Sequence, residues 1–255
     1  MGNEAPSRNP AGPRTRRAGA HPTAVRVTLL GRFAVCVDGV DVHLPPAAPR
    51  LVALAALHHA PISRPRLAEL LWPHLEGPVG IASLRSTLSR LRAAQSHLLA
   101  PGPGDIAIGL DVTVDVWERE ALAARVSNDR EAAVHETFAE HPFVELLPGW
   151  HDEWVMFERD RLREITIHAI EAQATALAEI RSFARAIPTI YAAMRLDPLR
   201  ESAVRTLIEI HLAEGNRAQA ARCYLTFRDR LRATLQIEPS DELGGLILPL
   251  LQRVR

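Results

Sequence analysis

The sequence contains no lysine, so all 30 of its basic residues are arginine, a bias that a GC-rich genome produces through its codons. Aromatic residues are also scarce, at 5%. A β-sandwich or barrel is hard to build from so few of them, whereas the abundant Ala, Leu and Arg favour helix. Cysteine is nearly absent. Cys36 and Cys223 stand far apart, outside any CxxC or Cys/His spacing, so neither a disulfide framework nor a zinc site is indicated, and both read as buried thiols of a reducing compartment. Long hydrophobic runs are missing too. The stretch from Leu51 to Leu57 is too short to span a bilayer. The opening MGNEAPSRNPAGPRTRRAGAHP is rich in Pro, Gly and Arg and does not read as a signal peptide, so a cytoplasmic location is expected, with no membrane partner.

Net charge is absent as well, with 30 basic residues against 30 acidic ones. The total conceals an uneven distribution. Residues 1–20 hold Arg8, Arg14, Arg16 and Arg17 against Glu4, a balance of +3. Residues 50–99 hold six Arg against Glu69 and Glu76, or +4, whereas residues 113–255 hold 18 Arg against 23 acids, or −5. The 255 residues, 47% of them hydrophobic, suffice for one large domain or two of ordinary size.

Residues 1–24 are too polar to offset the entropy of ordering and read as a disordered basic tail, with Arg14, Arg16 and Arg17 within reach of DNA phosphates. From Val25 the pattern has period two: Val25, Val27 and Leu29, then Phe33, Val35 and Val37, a turn at Asp38-Gly39, and Val40, Val42 and Leu44. Asp-Gly between alternating β-branched residues signals a hairpin. A first helix follows from Arg50 to Leu57. Ser63 fits the N-cap of a second, with Pro65 in its first turn and Trp72-Pro73 as its stop.

A loop with Gly77, Pro78 and Gly80 then leads into a third helix, whose apolar stripe is Ile81, Leu84, Leu88, Leu91 and Leu98, with Gln95 at its edge. The other faces carry Ser83, Arg85, Ser86, Ser89, Arg90 and Arg92. Pro101 to Asp105 form a turn, and Ile106, Ile108, Leu110, Val112 and Val114 alternate as a hairpin. The order over 25–114 is that of a winged helix-turn-helix with an added amino-terminal sheet.

From Trp117 the pattern is helical, at about 116–126, 129–140, 150–180, 183–195, 200–214 and 217–235. Turns at Arg181-Ser182 and Gly215-Asn216 lie 34 residues apart, the tetratricopeptide period, and that offset pairs Ala184 with Ala218 and Ala186 with Ala220. The fold class expected is mainly α with a small β component. A winged helix-turn-helix domain at 25–114 precedes an all-α, tetratricopeptide-like helical-hairpin domain at 115–255.

The third helix carries the functional signal. A helix fits the DNA major groove, arginine bonds guanine bidentately, and serine and arginine both bind phosphate. Arg85, Ser86, Ser89, Arg90 and Arg92 are therefore the candidate DNA-binding residues. His141, Glu145, His151, Asp152 and Glu153 do not place four ligands on one helical face, so no metal site is read from them. Trp150, Trp154 and Phe157 recur at helical spacing and read as core, while His58 and His59 read as solvent-facing. There is no GxxxxGK[ST] loop, and Gly102-Pro103-Gly104 sits in a hairpin turn. No enzyme and no cofactor are expected. No residues remain for a phospho-receiver domain, so regulation is left to expression level, a partner or a small molecule.

The segments VRVTLLGRFAVCVDGVDVHL, SRPRLAELLWP and ASLRSTLSRLR closely resemble the OmpR-type winged helix of the Streptomyces antibiotic regulatory protein (SARP) family. LLPGWHDEWVMFERDRLRE from Leu146 and the segment from Leu199 to Leu243 resemble that family's bacterial transcriptional activation domain. The resemblance covers about residues 25–245. It implies a pathway-specific activator of antibiotic biosynthesis that binds direct repeats in double-stranded promoter DNA. RNA polymerase holoenzyme would be recruited through sigma factor and alpha subunit, with a homodimer forming on DNA. Ser89, Arg90 and Arg92 occupy the family's Ser-Arg-Leu-Arg signature, with Arg85 and Ser86 one turn earlier. Two departures stand out: Ala48 where relatives commonly have a basic residue, and a wing from Gly102 to Leu110 with no Arg at all. That bare wing motivates an alternative, a protein-interaction or ligand-sensing scaffold whose winged helix contacts protein.

Overall fold

The computed structural model describes residues 24–140 and 143–252. The tail arginines Arg14, Arg16 and Arg17 lie outside the described residues.

Alternating valines place one face of β1 (Val25–Thr28) and β2 (Ala34–Val37) on the core. Asp38 and Gly39 take φ of 49° and 84°, the left-handed pair of a tight hairpin, and β3 (Val40–Asp41) returns with Val40 opposite Val37. In α1 (Ala48–Leu57) every residue except Pro49 and Arg50 is buried, which explains its unbroken apolar run.

A short β4 (Ile62–Ser63) precedes α2 (Arg64–Leu71). Ser63 caps this helix as expected, its Oγ accepting from the Arg66 amide at 3.4 Å. The helix α3 (Gly77–Ala94) begins earlier and ends earlier than the sequence suggests. Gly77, Pro78 and Gly80 form its first turn and not a loop, because proline there forfeits no helical hydrogen bond. The buried Gly80 faces Ala68 where α2 and α3 pack, and a Cβ there would make an ordinary contact at 3.5 Å. Gln95 and Leu98 fall beyond the helix, and Leu98 reaches the core from the following turn.

The wing pairs β5 (Leu99–Pro101) with β6 (Asp105–Ile108), and β4 adds to β6 to complete a sheet of order β4-β6-β5. The alternation through Val114 is not one hairpin. Leu110 is 99% exposed, the chain turns at Gly109–Asp111, and β7 (Val112–Val114) joins the amino-terminal sheet parallel to β1 in the order β3-β2-β1-β7. Parallel neighbours need a long crossover, here supplied by everything from α1 to the wing.

The remainder is helical: α4 (Asp115–Asn128), α5 (Arg130–His135), a 3-10 turn at Phe138–Glu140, α6 (Glu153–Glu179), α7 (Phe183–Leu196), α8 (Glu201–Glu214), α9 (Arg217–Leu235) and α10 (Asp241–Gln252). The molecule is therefore mainly α with a small β component. The 34-residue period is visible in the backbone. The residues capping α7 and α9, Ser182 and Asn216, share φ −82° and ψ 58°, and 216 − 182 is 34. Ala186 and Ala220 are fully buried where hairpin partners meet, whereas Ala184 and Ala218 face solvent. α10, with Leu243 and Ile247 buried against α9, is absent from the sequence pattern because Gly244-Gly245 and Pro249 obscure it.

The core of the winged helix does not end at Val114. It includes Leu146, Leu147, Trp154, Val155 and Leu162, so the first half of α6 belongs to it, and the second half, from Ile167, to the helical core. Trp150 packs on Phe33 at 5.7 Å and edge-on to Trp154 at 6.3 Å. Phe157, expected in the core, is 68% exposed, since at 3.6 residues per turn it points away from the flank that carries Val155 and Leu162. Both cysteines are half-buried and unpaired with one another. His58 and His59 are exposed, but His59 Nε2 lies 2.8 Å from Glu120 and its ring 5.5 Å from Trp117. Among the described residues no helix is long and apolar enough to cross a membrane.

The segment before α6 is clasped to the end of β1. The Leu147 amide donates to the Leu29 carbonyl at 2.8 Å and the Gly31 amide to that of Glu145 at 2.7 Å, with Leu30 bridging Leu146. Gly31 has φ 76°, and a Cβ there would meet Val144 Cγ1 at 3.0 Å. Gly31→Ala is expected to lower unfolding free energy by about 1–2 kcal/mol. Urea denaturation reads this, and an unchanged midpoint would show that the clasp yields freely.

Candidate nucleic-acid interface

The face of α3 is set by its buried side. Gly80, Leu84, Thr87 and Leu91 point inward, and Thr87 avoids an unmet buried hydroxyl by donating to the Ser83 carbonyl at 2.9 Å. The opposite arc exposes Arg85, Ser86, Ser89, Arg90 and Arg92, so the five sequence candidates share one continuous solvent face. Arg90 Nε reaches only its own helix, at the Ser86 carbonyl 3.4 Å away.

The arginines of this half divide into two groups. Arg26 pairs with Glu118 at 2.6 Å, Arg32 with Asp41 at 3.1 Å, Arg66 with Glu69 at 3.3 Å, and Arg50 with Asp152. Among the described residues, Arg64, Arg85, Arg90 and Arg92 have no carboxylate partner, and all four lie on α2 and α3. Arg64 was not among the sequence candidates. It occupies the first position of α2, where a cation opposes the helix dipole, and that misfit is the signal that could have found it. Its backbone amide donates to Gly104 O at 3.1 Å, tying the start of α2 to the wing turn, and its Nε is buried without a partner.

The wing itself offers little to phosphate. The Gly102 amide is taken by the Asp105 carbonyl at 3.1 Å, and Asp105 places a carboxylate beside the turn. Ala48 is fully buried at the start of α1. Among the described residues no group of three or more His, Cys, Asp and Glu is placed to hold a metal ion; His141 lies outside them.

The described residues thus form a winged helix with a basic helix face, followed by stacked helical hairpins. Residues 114–251 match the family described as the bacterial transcriptional activator domain, more than half of the chain, and the protein belongs to that family. Among solved structures it is similar to Mycobacterium tuberculosis EmbR, determined in complex with a low-affinity phosphopeptide. The identity is 22% and the TM-score 0.73, over 91% of this chain. At that identity the likeness is one of fold, and this chain spans 66% of the length of that protein. No curated protein matches it.

Proposed function

We propose that the protein is a sequence-specific DNA-binding activator that reads double-stranded promoter DNA with the α3 face and contacts the transcription machinery through its helical half. The observation that carries this reading is the set of arginines left without carboxylates. A guanidinium already paired within the protein must break that pair to meet a phosphate, whereas Arg64, Arg85, Arg90 and Arg92 need not. Arg85, Ser86, Ser89, Arg90 and Arg92 would enter the major groove, with Arg64 on the flanking phosphates. The acidic helical half, at −5, is suited to a protein partner in place of DNA.

The finer reading follows the family resemblance: a pathway-specific activator of an antibiotic or other secondary-metabolite gene cluster, acting at direct repeats. It would be placed head-to-tail as a homodimer and recruit RNA polymerase through sigma factor and alpha subunit. The boundary at residues 114 and 115 would separate the DNA-reading part from the recruiting part.

Mobility shift with promoter fragments from the gene's own neighbourhood tests the proposal. Affinity should fall linearly on a log-log plot as salt rises, with a slope set by the phosphates neutralised. No binding at low salt, together with retention of a protein partner on the same α3 face, would favour the protein-contact alternative.

A further inference from the structure

A separate feature lies where the two cores meet. A cavity of about 230 Å³ opens between the end of β1, α4, the 143–147 segment and α6, walled mainly by Leu30, Val144, Leu146 and Leu162. Two guanidiniums reach it, and they are in different states. Arg159 is fully committed: its Nε donates to the Leu146 carbonyl at 2.7 Å, another nitrogen donates to that of Leu147, and Glu145 lies 3.3 Å away. Arg119 has no carboxylate among the described residues. Its guanidinium carbon lies over the Phe138 ring, 3.8 Å from the centroid, and a cation held on a ring face still has its N–H donors to offer an acceptor.

We propose that this cavity is a binding site for a small organic carboxylate, held in the plane of the Arg119 guanidinium with a short apolar body against Leu30, Val144, Leu146 and Leu162.

The chemistry follows from the walls. Burial pulls the Arg119 pKa below its usual value, so an anionic partner at the cavity would favour its charged form. A planar carboxylate accepts two parallel N–H bonds from such a fork and neutralises it one for one. A phosphate dianion would leave charge unmatched against aliphatic walls. Thr166 Oγ1 already donates to the Leu162 carbonyl at 2.8 Å, so the site offers no hydroxyl donor to a neutral polar ligand. The volume lies below the roughly 300–1,000 Å³ of sites for drug-sized molecules, which restricts the guest to a short chain or one ring. The clasp of Gly31 to Glu145 and of Leu147 to Leu29 fixes the Leu146 wall.

The test is calorimetric titration of the full chain with benzoate and hexanoate, set against benzamide, 1-hexanol and inorganic phosphate. Saturable binding of a carboxylate at least about tenfold tighter than its neutral isostere and than phosphate is expected, and Arg119→Gln should abolish it without changing the circular dichroism spectrum. Should that variant not fold, hydrogen exchange on the wild-type chain decides. Benzoate should slow amides in 144–147 and 116–122, and protection only elsewhere overturns the site. Equal binding of benzamide, equal binding of phosphate, or no binding of either carboxylate overturns the proposal.

Discussion

Arg90→Ala should weaken promoter binding about tenfold to a hundredfold while leaving the thermal melting transition where it was. The first half of the expectation follows from position. Arg90 sits mid-way along the exposed arc of α3, between Ser86 and the last turn; it has no carboxylate partner among the described residues, and its Nε makes a 3.4 Å bond to a carbonyl of its own helix. A guanidinium so placed can turn to a guanine edge or a phosphate at little internal cost. The second half follows from exposure: Arg90 lies on the solvent face, and alanine is the better helix former. Titration by fluorescence anisotropy alongside a melt separates the two effects. An equal fall in affinity and melting temperature would make Arg90 a structural residue, and unchanged affinity would move the interface off this face. Arg64→Ala, by contrast, should weaken binding to all sequences alike and lower the salt slope, as a phosphate contact does.

Asp115→Ala should cost about 3 kcal/mol of unfolding free energy, the largest stability loss expected of a single polar substitution here. Asp115 opens α4 directly after β7, and its carboxylate accepts from the Leu29 amide at 2.9 and 3.0 Å, the Leu30 amide at 2.9 Å and the Val116 amide at 2.8 Å. It thus holds the end of β1, the start of the helical half and, through the clasp beyond Leu30, the segment leading to α6. Burial pushes its carboxyl pKa up, against the opposing pull of those three amides and of the Arg26 charge. Alanine would leave the Leu29 and Leu30 amides without acceptors in a half-buried site, each worth about 1–3 kcal/mol. Urea denaturation measures the loss. Asp115→Asn, which keeps one acceptor oxygen, should lose less, and a loss below about 1 kcal/mol for alanine would show that water replaces the carboxylate.

The five arc residues were legible in the sequence because a helix obliges its residues to alternate faces every 3.6 positions, so the pattern of Leu84, Leu88 and Leu91 alone tells where Arg85, Ser89 and Arg90 point. The Asp38-Gly39 turn and the Ser63 cap were legible for similarly local reasons: each is a conformation that a few adjacent side chains select. Arg64 and Arg119 were not. Whether an arginine is paired depends on which carboxylate folding brings near it, and the partners of the other arginines in this half range from Glu69, three residues along, to Asp152, more than a hundred. Phe157 was misplaced because its three-residue spacing from Trp154 left open which flank of the helix is buried, and Val155 and Leu162 take the other one.

By itself, then, the sequence determined most of the secondary elements and the basic arc of α3, consequences of residues within a turn or two of one another, and the hairpin period, which a repeat displays in the chain itself. Only the tertiary structure decided that β7 runs beside β1, that one core crosses from the winged helix into α6, and that Arg119 faces a cavity with no carboxylate partner among the described residues. Those three depend on contacts between segments distant in the chain, where solvent exclusion and shape, not local propensity, choose the neighbour.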